Sequence, residues 1–120
     1  MKIAFTTSGS DLDAPLDTRF GRAPKFLILD ADTNAVVVVD NEQNLNAAQG
    51  AGIQSAQTVA RSGATHLVSG HCGPKAFRVL ASAGISIHTT QAATIREALA
   101  QFNAGELPQA LAADVEGHWG

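Results

Sequence analysis

The stretch HLVSGHCGPKAFRVLASAGISIH, residues 66–88, decides the fold because it contains a strand, a helix and a second strand in succession. His66–Ser69 and residues 85–88 are short apolar runs, and the residues between them place apolar side chains at helical spacing. Pro74 suits the first position of the helix, and Gly84 closes it. A crossover of this kind makes its two strands parallel, so the stretch predicts an α/β fold.

Three further strands precede this unit. Lys2–Thr7 begins the chain as a strand-like run, and Lys25–Asp30 and residues 36–39 are two more. The turn-forming residues 31–34 separate the last two runs, which therefore predict a β-hairpin. We expect a five-stranded mixed sheet in which the first, fourth and fifth strands are parallel and the second and third form the hairpin.

Two more helices complete the pattern and flank the sheet. Residues 53–60 place apolar side chains at helical spacing, and residues 95–102 do so again. Thr94, with Glu97 three positions later, has the spacing of a capping box, and Gly105 follows the last apolar position. We expect one α/β domain over residues 1–106 and an irregular tail over residues 107–120.

The composition excludes several classes of protein. The net charge of −3 argues against a nonspecific duplex-DNA binder, and the low aromatic content of 5% argues against a base-stacking RNA module. One cysteine excludes an internal disulfide, a cysteine-rich zinc site and an iron–sulfur centre held by four cysteines of one chain. No apolar run approaches the ~20 residues of a membrane helix. The amino terminus enters a strand pattern without a cleavable signal, so we expect a cytoplasmic protein without nucleic-acid or membrane partners.

Ligands of such sheets bind beyond the carboxyl ends of the strands, where the strand order reverses. Three segments are predicted to meet at that edge: the loop after Thr7, residues 70–74 and residues 88–91. A ligand site is therefore expected among them.

The loop SGHCGPK, residues 69–75, is the strongest local indication of a binding site. Gly70 and Gly73 permit a tight turn with exposed backbone N–H groups at the start of a helix, which attracts anions. Lys75 and Arg78 add full positive charges. The alternative is an ordinary strand-to-helix turn whose glycines serve only its geometry.

The second indication is TRFGRAPK, residues 18–25, which places three cations within seven residues of an acidic protein. Arg19 and Arg22 flank Phe20 and Gly21, where the backbone can approach a ligand closely. Such a cluster favours a small anionic ligand over a polymer. The alternative is a solvated loop whose arginines pair with two nearby carboxylates, Asp13 and Asp17.

Cys72 and His71 admit two interpretations each. A thiolate at a helix amino terminus can have a lowered pKa and act as a nucleophile or a soft-metal ligand, whereas a small buried cysteine only lines the loop. His71 can donate a hydrogen bond or bind metal, or it can be a neutral loop residue. We expect His66 to be structural and leave His88 open, while the tail residues His118 and Trp119 are expected to carry no chemistry.

One pattern supports an enzyme hypothesis. His71, Cys72 and Arg78 match the H-C-x5-R pattern of cysteine phosphatases, in which a thiolate attacks phosphorus and an arginine holds the phosphate oxygens. Lys75 stands where that family usually has glycine, and Val79 stands where it has serine or threonine. A helix that begins at Pro74 would also point Arg78 away from the turn.

The combined motifs resemble the dinitrogenase iron–molybdenum cofactor biosynthesis family over about residues 1–105. The resemblance is carried by MKIA at the start and by three longer segments: DTRFGRAPKF at 17–26, GHCGPKAF at 70–77 and LASAGI at 80–85. It implies a small protein that binds or carries a molybdenum- or iron-containing sulfide cluster, and within the family it extends to a carrier of a mixed molybdenum–copper sulfide cluster. Many relatives lack the cysteine and histidine before the Gly-Pro pair, so Cys72 and His71 need not be required for binding.

The resemblance also implies a ribonuclease-H-like, three-layer fold. It does not imply nuclease activity, because nucleases of that fold need strand carboxylates for two metal ions and Lys2–Thr7 has none.

We therefore interpret the chain as a noncovalent carrier of an anionic metal–sulfide cluster, not as an enzyme. The residues expected to bind it supply positive charge, backbone N–H donors, an apolar wall or a soft copper ligand: Arg19, Phe20, Gly21, Arg22, Gly70, His71, Cys72, Gly73 and Lys75. Of these, Cys72 and His71 are the candidate metal ligands. A carrier also implies donor and recipient proteins, which the sequence does not identify. The alternatives are the phosphatase and a regulatory domain that senses a small anion at the same edge.

Overall fold

The computed structural model describes residues 1–41 and 51–111 of the chain. Its five strands are β1 Lys2–Thr7, β2 Lys25–Asp30, β3 Val36–Asp40, β4 His66–Ser69 and β5 Ser86–Thr89. The α-helices among these residues are α1 Ala51–Arg61, α2 Pro74–Ser82 and α3 Ile95–Asn103, and a 3-10 turn occupies Phe20–Arg22.

The five strands form one mixed sheet in the order β3-β2-β1-β4-β5. β2 is antiparallel to both β1 and β3, whereas β4 is parallel to both β1 and β5. The predicted hairpin and the parallel set of first, fourth and fifth strands are therefore confirmed.

β3 ends one residue later than predicted, at Asp40, and β5 is shifted by one residue, to Ser86–Thr89. Ile85 was expected to begin β5, but its N–H donates to the carbonyl of Leu80 at 3.0 Å and so closes the end of α2. Gly84 makes this return possible with φ = +78°, a backbone conformation that L side chains rarely adopt. The strand proper begins one residue later, where the Ser86 N–H donates to Thr65 O at 3.0 Å.

The helices cover both faces of the sheet and give three layers. One buried cluster joins α1 and α2 to the face of Ala4, Phe26 and Leu67. The other joins α3 to the opposite face, which carries Ile3 and Phe5. Neighbouring residues of β1 thus point into different cores, as strand alternation requires. The more specific ribonuclease-H-like assignment stays a prediction.

The last described residues pack against the edge of β5. Ala110 donates its N–H to Ile87 O at 2.7 Å, so the segment expected to be an irregular tail begins with a defined contact. Residues 112–120, with His118 and Trp119, lie outside the described residues. Within residues 1–41 and 51–111, the helices are all too short or too polar to cross a bilayer.

The start of α3 tests the predicted cap. Thr94 Oγ1 accepts the Glu97 N–H at 3.2 Å, and the Glu97 carboxylate accepts the N–H of Ala93 at 3.0 Å. Replacing Thr94 with alanine removes an acceptor for a helix-terminal donor, and we expect the free energy of unfolding to fall by about 1 kcal/mol. Urea denaturation measures this change. Thr94→Ser keeps the oxygen and should lose much less; equal losses would contradict the capping role.

Candidate functional site

The chain crosses the carboxyl edge of the sheet between β1 and β4, where the strand order reverses. The loop before the crossing lies on the α3 side, because Leu16 donates its N–H to Ala93 O at 3.0 Å and Ala14 accepts the N–H of Ile95 at 3.1 Å. Phe20, after the crossing, is buried in the cluster of α1 and α2 on the other face. Residues 17–19 therefore pass over the strand ends.

Short hydrogen bonds fix this crossing to the ends of β1 and β4. The Asp17 N–H donates to Thr6 O, and the Thr6 hydroxyl donates to Asp17 O, both at 2.8 Å. The Phe20 N–H donates to His71 O at 3.1 Å. The two segments singled out in the sequence, 18–25 and 69–75, are thus in direct contact.

Gly70 is required at this contact. A Cβ built on Gly70 would lie 2.6 Å from both Cα and O of Thr18, closer than real Cβ atoms come to any backbone atom. The glycine therefore permits close approach of two backbone segments. This is the purely geometric role that the sequence analysis gave as the alternative to anion binding. That role also brings the two cationic segments together, so the two interpretations of the glycine are compatible.

The joined segments concentrate positive charge on an acidic protein. With the second segment extended along α2 to Arg78, five of the eight Lys and Arg residues lie within residues 18–25 and 69–78, and neither range contains Asp or Glu. Arg19, Lys75 and Arg78 are exposed, and Arg22 is half-buried. Positive charge concentrated in this way attracts anions over a long range.

Asp13 and Asp17 have partners other than the side chains of the loop arginines with which the alternative interpretation pairs them. Asp13 accepts from Nε of Arg96 at 2.7 Å, and this hydrogen bond holds the pKa of the Asp13 carboxyl below its usual value. Asp17 accepts the backbone N–H of Arg19 at 2.9 Å and so shapes the loop. Both carboxylates serve the fold around the crossing.

Several predicted binding residues lie beneath the surface. Gly21, Gly70 and Gly73 are buried, and Phe20 is fully buried with its ring 5.6 Å from that of Phe26. Phe20 therefore supports the loop from the core. The side chains of the site that solvent can reach are therefore those of the cations and of the half-buried His71.

Cys72 is 1% exposed and packs in the core with Ala76 and Leu80. Its Sγ lies 3.8 Å from the carbonyl of Gly73. A phosphatase needs a thiolate that phosphate can reach, and a metal ligand needs the same access, whereas this conformation holds the sulfur inside. Among the residues described, no group of three or more His, Cys, Asp or Glu side chains is arranged to hold a metal ion.

A cavity of about 350 Å³ adjoins the crossing at the carboxyl ends of β4 and β5. Residues 89–91 were expected at this edge, but α3 and the segment after it were not. The local sequence gives no indication that α3 and the segment after it lie here, because they come to this edge only when the chain folds back after β5. The cavity is lined by Gly70, His71, Thr89, Thr90, Gln91, Gln101, Glu106 and Leu107.

His66 and His88 form a stacked pair beside the cavity wall. Their ring centroids are 5.7 Å apart, and Phe102 meets both rings edge-on. His88 is 8% exposed, and its Nδ1 lies 2.7 Å from Leu107 O, so Nδ1 donates a hydrogen bond to that carbonyl. Both histidines thus pack against Phe102 of α3, and His88 also contacts the segment that follows α3.

Comparisons with known proteins identify relatives over most of the chain. A family model described as dinitrogenase iron-molybdenum cofactor matches residues 1–105. The apo form of the orange protein from Desulfovibrio gigas is 42% identical, with a TM-score of 0.92, over 95% of this chain and 96% of that one. A Thermotoga protein of the DUF35 family, described as a candidate NifB protein, is 28% identical with a TM-score of 0.80, over 95% and 98% of the two chains. An uncharacterized protein of Methanocaldococcus jannaschii is 28% identical over 89% of each chain.

Gly70→Ala should open the crossing. We expect a loss of about 1–3 kcal/mol in the free energy of unfolding, because the methyl group must displace the backbone of Thr18. Hydrogen exchange by NMR should show weaker protection of the Phe20 amide. In Gly84→Ala the new methyl meets nothing within 4 Å, so this control should lose stability through its positive φ yet keep Phe20 protected. Unchanged Phe20 protection in Gly70→Ala would contradict the constraint.

The histidine pair predicts a pH dependence of stability. Burial, and secondly the neighbouring His88, lower the pKa of His66 below its ordinary value of 6.5. As the pH is lowered, His66 is therefore protonated in the unfolded chain before it is protonated in the folded protein. The contribution of neutral His66 to the free energy of unfolding is thus complete above pH 6.5 and is lost as the pH falls towards the pKa of the folded state. Urea denaturation along a pH series should show this loss. His66→Gln should flatten it, and an unchanged slope would exclude His66 as its source.

Proposed function

The chain belongs to the dinitrogenase iron–molybdenum cofactor family, and on that premise we propose that it binds an anionic metal–sulfide cluster noncovalently and carries it without converting a substrate. The observation that carries this proposal is the contact between the two cationic segments, made through Phe20 and His71. It joins charges that are about fifty residues apart in the sequence at one edge of the sheet.

Charge is the main requirement for such a cargo. A metal–sulfide anion already has sulfides as ligands to its metals, so the protein need not complete their coordination. Arg19 and Lys75 are exposed and Arg22 is half-buried, so their side chains supply the attraction. The planar guanidinium groups can each donate several hydrogen bonds to sulfide.

The amino terminus of α2 adds a second contribution. Gly73 is its N-cap and makes no side-chain capping bond, and Pro74 is its first residue. The positive end of the helix dipole therefore lies beside the crossing, where it favours negative charge. Gly21, Gly70 and Gly73 are buried residues, so in this proposal the cluster sits within the loop in order to contact their amides.

For the identity of the cluster, we propose the molybdenum–copper sulfide type, and otherwise another molybdenum- or iron-containing sulfide cluster. The 42% identity to the orange protein supports membership in the same branch of the family, for which the resemblance implies this type of cluster. His71 and Cys72 are the soft groups that suit copper, with Cys72 contributing only if its thiol turns outward. Donor and recipient proteins follow from the carrier role, and the protein itself is cytoplasmic in this proposal.

Two other functions use the same edge. A cysteine phosphatase would need Cys72 and the exposed Arg78 to converge on one phosphate, and the burial of the thiol weighs against it. A regulatory domain would bind a colourless anion such as phosphate at the same cations. The ribonuclease-H-like fold that we propose adds no nuclease activity, because β1 carries no carboxylate.

The first experiment is metal and acid-labile sulfide analysis, with a visible spectrum, of protein isolated anaerobically from its native host. We expect stoichiometric molybdenum, with or without copper, and visible charge-transfer bands. Arg19→Gln/Arg22→Gln should bind the cluster about tenfold more weakly or worse, because two charge-assisted contacts are lost. Colourless, metal-free native protein would overturn the carrier proposal.

The matched control removes the same charge elsewhere. Lys2 and Arg61 are exposed and lie outside both cationic segments, so Lys2→Gln/Arg61→Gln changes the net charge equally. This variant should retain the cluster. Equal losses in the two double variants would show that net charge, and not the crossing, attracts the anion.

Cys72→Ser separates the modes of binding. A cluster held by charge and N–H donors should remain, so the visible spectrum should persist with most of the metal. Complete loss of the metal in a variant that stays folded by circular dichroism would assign ligation to the thiol. Phosphatase activity that disappears in this variant would support the enzyme alternative instead.

A further inference from the structure

Two consecutive threonines end β1, and both are fully buried. Ala4 packs in the cluster of α1 and α2, and Phe5 packs in the cluster of α3. Because strand residues alternate, the Thr6 side chain shares the face of Ala4 and the Thr7 side chain shares the face of Phe5. A buried hydroxyl needs a hydrogen-bond partner within the protein, and both threonines find theirs in the segment that crosses the strand ends.

The two hydroxyls follow this segment as it passes from one face of the sheet to the other. On the α3 side, Thr7 Oγ1 donates to Pro15 O at 2.8 Å, and Pro15 also forms an isolated bridge with Thr94 in front of α3. Two residues further along, Thr6 Oγ1 donates to Asp17 O, also at 2.8 Å. The side chains at the end of one strand therefore hold the segment from both faces of the sheet.

A third buried hydroxyl connects this contact to β4. Ser69 is fully buried, and its Oγ lies 3.1 Å from Thr6 Oγ1. A threonine hydroxyl has one hydrogen, and that of Thr6 goes to Asp17 O, so Ser69 is the donor in the pair of hydroxyls. Thr6 thus accepts from β4 and donates to the crossing, in surroundings without water where hydrogen bonds are electrostatically stronger.

These contacts lead to Arg19 through one residue. Asp17, whose carbonyl accepts from Thr6, also accepts the Arg19 N–H on its Oδ1 at 2.9 Å. Arg19 in turn forms an isolated parallel bridge with His71. A displacement of Asp17 would therefore move the backbone of Arg19 relative to the loop that contains His71.

We propose that Thr6 and Thr7 are the positioning residues of the anion site, because their hydroxyls hold residues 15–19 in the path that places Arg19 beside His71. This inference rests on the proposed function in one respect, that the ligand is an anion which uses Arg19. A cation whose backbone is already held in place has less conformational freedom to lose on binding. The two hydroxyls therefore raise the affinity for the anion from inside the protein, through the backbone of the crossing.

Calorimetric titration of the full chain with tetrathiomolybdate, a soluble anion of molybdenum and sulfide, tests the proposal. Thr6→Val keeps the shape and removes the hydroxyl, and we expect it to bind this anion about fivefold more weakly, the effect of one lost hydrogen bond. NMR relaxation should show a more mobile Arg19 backbone in the same variant. Thr6→Ser keeps the oxygen and should restore both properties. Thr7→Val removes the contact with Pro15 and should also weaken binding, and it decides the question if Thr6→Val does not fold.

Thr65→Val is the matched control, because Thr65 Oγ1 donates to Lys2 O at 3.3 Å at the opposite end of β1 and β4. It removes a hydroxyl-to-carbonyl bond and should change neither the affinity nor the mobility of Arg19. Parent-like affinity in Thr6→Val and Thr7→Val, or an equal loss in Thr65→Val, would overturn the positioning role. If the parent protein does not bind tetrathiomolybdate, the proposed cargo fails and the mobility of Arg19 decides alone: an increase in Thr6→Val supports the positioning role, and an unchanged value overturns it.

Discussion

The approach of Gly70 to the backbone of Thr18 is the constraint on which the arrangement at the carboxyl edge depends. The parallel pairing of β1 and β4 brings the ends of these strands together, and a chain segment must cross between them to move from one face of the sheet to the other. Only a residue without a Cβ leaves room for that segment. The contact that satisfies a packing requirement also places two cationic loops side by side.

The sequence predicts most of the architecture because its local rules agree with the fold. Pro74 and Gly84 mark the ends of a helix whose neighbours are apolar runs, and Thr94 with Glu97 marks another, so the period of the apolar residues was sufficient to define strands and helices. The parallel order followed from the handedness and length of the crossovers. The error at Ile85 arose because an apolar residue can close a helix as readily as it can begin a strand.

The details of the site were less accessible, because they depend on contacts between distant segments. The sequence could mark Cys72 as reactive or buried, but only the packing of α2 against the sheet places its sulfur in the core. It could not place Gln101 and Glu106 beside residues 89–91, since nothing near them in the chain indicates where the segment after α3 returns. The cations were easier to identify, because Lys and Arg side chains are charged and usually exposed whatever distant segments pack nearby.

The two halves of the crossing come from segments about fifty residues apart, so the unfolded chain contains no site. Any ligand that engages both halves binds the native state alone and shifts the folding equilibrium by mass action. At a free concentration a hundredfold above its dissociation constant, such a ligand adds about 2.7 kcal/mol to the free energy of unfolding. Loaded and empty protein would then differ in lifetime inside a cell, and proteases would remove the empty form first while its fold remained the same.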